Sequence, residues 1–361
     1  MAGRLPISVC MIAKNEERYL EECLRHILPY NMEIVVVDTG STDSTRDIAS
    51  RYTDKVYDFT WTNDFSAARN FAISKATNNW ILILDCDEYL MQFDVAGIRK
   101  CMQQHARHVG VMGIRNIYTQ EDGQKTCSID EVPRFFNKNF YEYRFRIHEQ
   151  ITPKNQENLD DVRLLTFTLP IVVEHHGYDI SQEEMMKKQE RNLTLLQAAL
   201  GETTFDDYLY FQMGQSYQTI GENEKAAEAY QKSFAVNTNL SKQYVKVAIM
   251  AYAKVLEKLG RYEEALSHLL RYEGNLQHKN AEYTYLLGCA YQECGEHLKA
   301  LLTLVKATQM SDFDMLGEHA YDTYVRIMTL HSQMGNKEGL LHFKQKLEEY
   351  GMAHGRKIMF N

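Results

Sequence analysis

Asp85 and Asp87 stand one residue apart, with Cys86 between them, directly after the apolar run Trp80–Leu84. In an extended segment residues i and i+2 face the same way, so both carboxylates can turn into one crevice. Two hard oxygen donors of this kind suit Mn²⁺ or Mg²⁺, and such an ion can bridge a diphosphate. Alone, the spacing describes a solvated acidic turn equally well. Its position after a buried strand is what favours the metal.

Other groups with chemistry fall at similar places. Asp38 follows the β-branched run Ile34–Val37 and precedes Gly40-Ser41-Thr42, where it either caps the next helix or hydrogen-bonds a nucleotide. Asp64 reads as the N-cap of a helix from Phe65 to Ala76. One turn into it, Arg69 is either a surface arginine or a planar guanidinium reaching a nucleotide.

The elements that must position these groups alternate between two periods. Ile7–Ile12, Glu33–Val37, Val56–Phe59 and Trp80–Leu84 are strand-like, and Glu16–Leu28, Ser44–Tyr52 and Phe65–Ala76 are helix-like between them. Such alternation means βαβ units and a parallel sheet, whose ligand crevice lies at the carboxyl ends of the strands. Asn15, Asp38, Asp85 and Asp87 would gather at that edge. From Gly110 to Tyr178 the pattern loosens, with strand-like pieces at Val111–Tyr118, Glu131–Phe136 and Thr168–Glu174. Ser181–Leu200 reads as one long amphipathic helix with apolar Met185, Met186, Leu193 and Leu196.

An internal repeat follows. Met213-Gly214, Tyr217 and Gly221 match Leu287-Gly288, Tyr291 and Gly295 in register, and Gly260 and Gly335 mark two further units. The turn glycines 221, 260, 295 and 335 lie 39, 35 and 40 residues apart. This resembles the tetratricopeptide repeat, whose consensus is about 34 residues with small residues where paired helices touch.

Composition bounds the partners. With 44% hydrophobic and 25% charged residues the chain is globular, and a formal charge of −9 speaks against nucleic acid as a partner. No apolar run is long enough to span a membrane. Seven cysteines without a CxxC pair suit a reducing compartment. With no secretory signal at the N-terminus, the expectation is a soluble cytoplasmic protein.

Taken in order, Ser8–Glu17, Val36–Asp43, Asp64–Asn70 and Asp85-Cys86-Asp87-Glu88 resemble the family 2 glycosyltransferases, especially the subgroup fused to tetratricopeptide repeats. The match extends to Arg134-Phe135-Phe136, Ile147-His148-Glu149, His175-His176-Gly177-Tyr178 and Arg191-Asn192-Leu193. The same arrangement is found in S-glycosyltransferases that modify bacteriocin peptides. One departure is Cys86, where that subgroup usually has alanine.

The resemblance implies an α/β GT-A domain with a Rossmann-like mixed sheet over residues 1–180, a connecting helix at 181–200 and an all-α repeat domain at 201–361. It implies a metal-dependent, inverting transfer from a UDP-sugar. Ala13, Asn15, Asp38, Arg69 and Asp85 match positions around the nucleotide sugar, and Asp87 and His175 match metal ligands for Mn²⁺ or Mg²⁺. Glu149 falls at the place of the catalytic base, with His148 as its neighbour or substitute; an ion pair from Glu149 to Arg144 or Arg146 is the competing reading. The acceptor stays open between a peptide Cys or Ser side chain, held partly by the repeats, and a glycan or lipid. The array could instead mediate a homodimer, or scaffold an inactive transferase domain.

Overall fold

The computed structural model describes residues 5–119, 125–155, 164–177, 182–201, 206–276 and 280–355. Tyr178 and Ser181, named above, lie outside them. The chain divides into two compact units, Met1–Ala199 and Leu200–Asn361.

The first unit begins with the expected alternation. β1 (Ile7–Ala13), α1 (Leu20–Ile27), β2 (Glu33–Asp38), α2 (Thr45–Ser50), β3 (Val56–Asp58), α3 (Phe65–Lys75) and β4 (Trp80–Ile83) follow one another. Then come β5 (Glu88–Phe93), α4 (Val95–Gln104), β6 (Val109–Thr119), β7 (Lys125–Asn137), β8 (Tyr141–Arg144), β9 (Gln150–Pro153), β10 (Thr166–His175) and α5 (Gln182–Ala199). Eight strands form one sheet in the order β3-β2-β1-β4-β7-β6-β10-β5, and β8 and β9 form a hairpin. The first four strands are parallel; β7 joins β4 antiparallel and makes the sheet mixed.

Apolar residues on successive positions of β1, β2 and β4 are buried on both faces, as continuous β-branched runs require. One face packs Ile7, Val9, Met11 and Leu82 with Leu20, Leu24 and Ile98 of α1 and α4. The other packs Cys10, Val35, Val37 and Ile83 with Ala72 of α3 and Tyr143 and Ile151 of the hairpin. α5 matches the long helix read from sequence, and Leu193 and Leu196 are buried as expected. Met186, assigned there to the apolar face, is instead 45% exposed.

The second unit consists of helices: α6 (Asp206–Thr219), α7 (Asn223–Val236), α8 (Gln243–Lys258), α9 (Tyr262–Leu270), the short α10 (Glu273–Leu276), α11 (Ala281–Glu293), α12 (His297–Ala307), α13 (Glu318–Gln333) and α14 (Lys337–Ala353). The turn glycines Gly221, Gly260, Gly295 and Gly335 separate α6/α7, α8/α9, α11/α12 and α13/α14. All four have φ between 70° and 80°, a left-handed conformation that favours glycine. Within the pairs, Gly214 lies against the Tyr230 ring and Gly288 against Leu304. No described helix is long and apolar enough to cross a membrane.

Candidate active site

The ends of β1 and β2 are laced together. Thr39 Oγ1 donates to the Ala13 carbonyl at 3.0 Å, and Ala13 pairs with Asp38 in register. Asn15, left-handed at φ 57°, accepts from Thr42 N at 2.8 Å. Asp38 turns back on its own loop and accepts from Gly40 N at 3.2 Å and Ser41 N at 3.1 Å. Asp38 therefore makes a local turn and does not cap α2, whose N-cap is Ser44; Asp64 does cap α3, accepting from Ala67 N.

Arg69 is no surface arginine. It is 6% exposed, one turn into α3, and stands between two carboxylates. Its Nη2 donates to Asp85 Oδ1 at 2.9 Å and its Nε to Glu149 Oε1 at 2.6 Å. Arg134 of β7 donates from Nη2 to the other Asp85 oxygen at 2.9 Å and to Glu88 Oε1 at 3.3 Å. Burial alone would raise the Asp85 carboxyl, but Arg134 and Arg69 hold it well below the usual carboxylate range. Glu88 moves the other way: burial, with the Asp85 charge beside it, raises its carboxyl against the pull of Arg134. Arg69 Nη1 and Arg134 Nε are buried with no acceptor in the described protein, a cost that a bound anion or water would offset.

Glu149 sits on the loop before β9. The Arg144 and Arg146 pairing read from sequence is replaced by Arg69, while Arg144 Nε donates to Glu142 at 3.0 Å. The loop is fastened to the start of α3, since Phe65 N donates to Arg146 O at 2.8 Å and Ser66 Oγ to Phe145 O at 2.5 Å. Phe145 and His148 adopt left-handed backbone at φ 76° and 52°, which turns the chain sharply ahead of Glu149. Burial lowers the His148 imidazole below its ordinary value, opposed by Glu149, so the neutral ring is favoured.

Asp87 and His175 meet although 88 residues apart. His175 Nε2 is 3.2 Å from Asp87 Oδ2, close to the roughly 3 Å between adjacent corners of an octahedron with ligands at about 2.1 Å. A Cβ at Gly177 would stand 1.9 Å from that Asp87 oxygen and 2.7 Å from His175 Nε2, so glycine keeps this space open. Burial would lower the His175 pKa, but the Asp87 hydrogen bond and charge outweigh it and raise it. Among the described residues no third carboxylate, imidazole or thiol joins the pair. Two protein donors fit a divalent ion that takes its other ligands from phosphate and water.

The thiol of Cys86, between the two aspartates, points inward. It is 3% exposed, 3.6 Å from Ile12 O, and burial raises its pKa well above the ordinary value. Sequence reading gave no role to Glu88, or to Arg134 beyond its place in a motif. Their signal was spacing alone: Glu88 three residues after Asp85, and a basic residue opening an aromatic pair on the neighbouring strand.

Parts of this chain match known families and proteins. Residues 8–157 match Glycosyl transferase family 2, and residues 208–239 match the tetratricopeptide repeat. A TPR repeat-containing protein of Synechococcus elongatus is 28% identical over 73% of this chain and 67% of its own length. The SPbeta prophage-derived glycosyltransferase SunS of Bacillus subtilis is 27% identical over 63% of this chain, which spans about half (53%) of SunS. The lipopolysaccharide core biosynthesis glycosyltransferase LpsC of Rhizobium meliloti is 28% identical over 48% of this chain and 67% of LpsC. By these matches and the mixed sheet of its first unit, the chain carries a family 2 glycosyltransferase domain followed by tetratricopeptide repeats, and is a glycosyltransferase by that domain.

Proposed function

We propose that this protein is a cytoplasmic, metal-dependent, inverting glycosyltransferase that moves a sugar from a UDP-sugar to a side chain of a polypeptide. The observation that carries the reading is the convergence of Asp87 and His175 over Gly177, beside the Arg69–Asp85–Arg134 network. Mn²⁺ or Mg²⁺ held by Asp87 and His175 would supply charge neutralisation for the departing nucleoside diphosphate. Ala13, Asn15 and Asp38 border the nucleotide from the ends of β1 and β2. Arg69 turns its unpaired Nη1 toward a phosphate oxygen, and Asp85 holds Arg69 and Arg134 in place while facing the ribose.

Glu149 acts as the base. Among the described residues only Oε1 is engaged, by Arg69, so Oε2 is left to take the acceptor's proton as the acceptor attacks the anomeric carbon from the face opposite the diphosphate. His148 stands next to it as neutral imidazole. A thiol acceptor, with an ordinary pKa of about 8.5, asks less of this base than a hydroxyl. The repeats supply a polypeptide-binding surface of the kind stacked helix pairs provide. Unpaired cysteines fit a reducing compartment.

The test is UDP release by the purified protein from a panel of UDP-sugars, with Mn²⁺ or EDTA, followed by sugar transfer to cysteine- and serine-containing peptides. Metal-dependent turnover of one donor and labelling of a peptide support the reading. Turnover with labelling only of saccharide or lipid acceptors would move the acceptor class, and absence of donor binding would overturn the activity.

A further inference from the structure

His175 is held from behind by three strands in register. It lies opposite Asn116 of β6, and Asn116 lies opposite Ser128 of β7. Residues opposite each other share a face of the sheet, and Asp130, two along from Ser128, shares it too. Asn116 is 3% exposed, so the partners of its amide matter.

Those partners fix its direction. Asn116 Nδ2 is 2.7 Å from Asp130 Oδ2 and 3.3 Å from Ser128 Oγ, and Asn116 Oδ1 is 2.9 Å from His175 Nδ1. A carboxylate only accepts, so Asp130 requires the NH₂ end of the amide. The oxygen end is then left for His175, and an oxygen requires a proton on Nδ1. Nε2 is the nitrogen that remains for a cation, and it is the one facing Asp87. An amide that merely stitched strands together would be indifferent to which end met the histidine.

We propose that Asn116, oriented by Asp130, is a positioning residue that holds His175 with Nδ1 protonated and so presents Nε2, together with Asp87, to the divalent cation. The inference rests on the metal-dependent reading of the site given above. An outer-shell partner of this kind fixes ring orientation and tautomer, and its loss typically costs about 10–100-fold in metal affinity.

The experiment is calorimetric titration of Mn²⁺ into the full-length protein in the presence of UDP, with thermal unfolding run alongside. Asn116→Ala should weaken Mn²⁺ binding by about 10–100-fold. Asn116→Asp sets two carboxylates against each other and should weaken it as well. The double variant Asn116→Asp/Asp130→Asn exchanges amide and carboxylate, relieves that repulsion while Nδ1–H keeps an acceptor, and should restore binding toward wild type. As a second readout, ¹⁵N spectra of the Mg²⁺–UDP complex should show the His175 proton on Nδ1. Tight Mn²⁺ binding by Asn116→Ala, while His175→Ala has lost it, would overturn the proposal; so would a proton found on Nε2 in that complex, or failure of the double variant to recover when it folds. If Asp87→Ala and His175→Ala both bind Mn²⁺ like wild type, the metal-dependent reading itself fails, and the proposal with it.

Discussion

Arg69 and Glu149, 80 residues apart, are joined by a 2.6 Å hydrogen bond through the guanidinium that also grips Asp85. The proposed base is therefore set in place by the same side chain that organises the acidic motif. Glu149→Gln keeps an oxygen for Arg69 Nε but cannot take up a proton. Turnover should fall by about 10²–10⁴-fold with donor affinity preserved. Steady-state kinetics and UDP-sugar calorimetry check this; a parallel loss of donor affinity would make Glu149 a donor-binding residue instead.

Removing the guanidinium should affect folding as well as catalysis. Arg69→Met leaves Asp85 and Glu149 partly buried without their shared cation. Breaking a buried pair costs about 3–5 kcal/mol, and the low end applies because the Asp85 side chain is 32% exposed. Urea denaturation measures the loss, and donor hydrolysis should be abolished in the same variant.

Gly177→Ala forces a methyl group against Asp87 Oδ2 and His175 Nε2. Donor hydrolysis should drop to the level of Asp87→Ala, and added Mn²⁺ should no longer stimulate it. Retention of metal-stimulated hydrolysis would mean the two side chains do not meet in the working enzyme.

The repeats carry an acid-sensitive histidine. His268 is 6% exposed, its Nε2 lies 3.2 Å from Ile249 O, and burial pushes its pKa down to about 4. An unfolded histidine titrates near 6.5, so between these values the unfolded chain binds the extra proton. Its contribution is complete above pH 6.5 and is lost as pH falls toward 4, up to about 3 kcal/mol at roughly 1.4 kcal/mol per pKa unit. His268→Gln should flatten that acid limb in urea titrations followed by helical circular dichroism.

Gly288→Ala places a Cβ 2.6 Å from Leu304 Cδ2 and 3.4 Å from a backbone nitrogen. Leu304 is fully buried and has little room to yield. Overpacking of this kind typically costs about 1–3 kcal/mol, readable as a lowered urea midpoint.

What the sequence revealed follows from locality. The four parallel strands announce themselves as short apolar runs, and the Asp64 cap needs only the next three residues. The repeats were legible because small residues recur where helices cross: Gly214 meets Tyr230 and Gly288 meets Leu304, each sixteen positions on. The other half of the sheet was harder. β5 begins inside the acidic motif at Glu88, and β6 and β7 continue past their apolar portions as polar hairpin arms. Arg134, Glu88 and Asn116 gain their roles only from strand register, and a burial pattern does not encode which strands lie side by side. The choice at Arg69 stayed open for the related reason that its two carboxylates arrive from positions 85 and 149.

Cys86 has a practical consequence. A sulfur lodged between the two aspartates would be the first target of any reagent entering the crevice, and of any sugar the enzyme activates. Its inward orientation and raised pKa keep it unreactive at neutral pH. Cys127, on β7, is exposed, whereas Cys101 and Cys294 are half-buried and the other four cysteines are buried. A maleimide dye applied to the native protein should therefore report from that strand, giving a fluorescent handle on ligand binding that leaves the chemistry untouched.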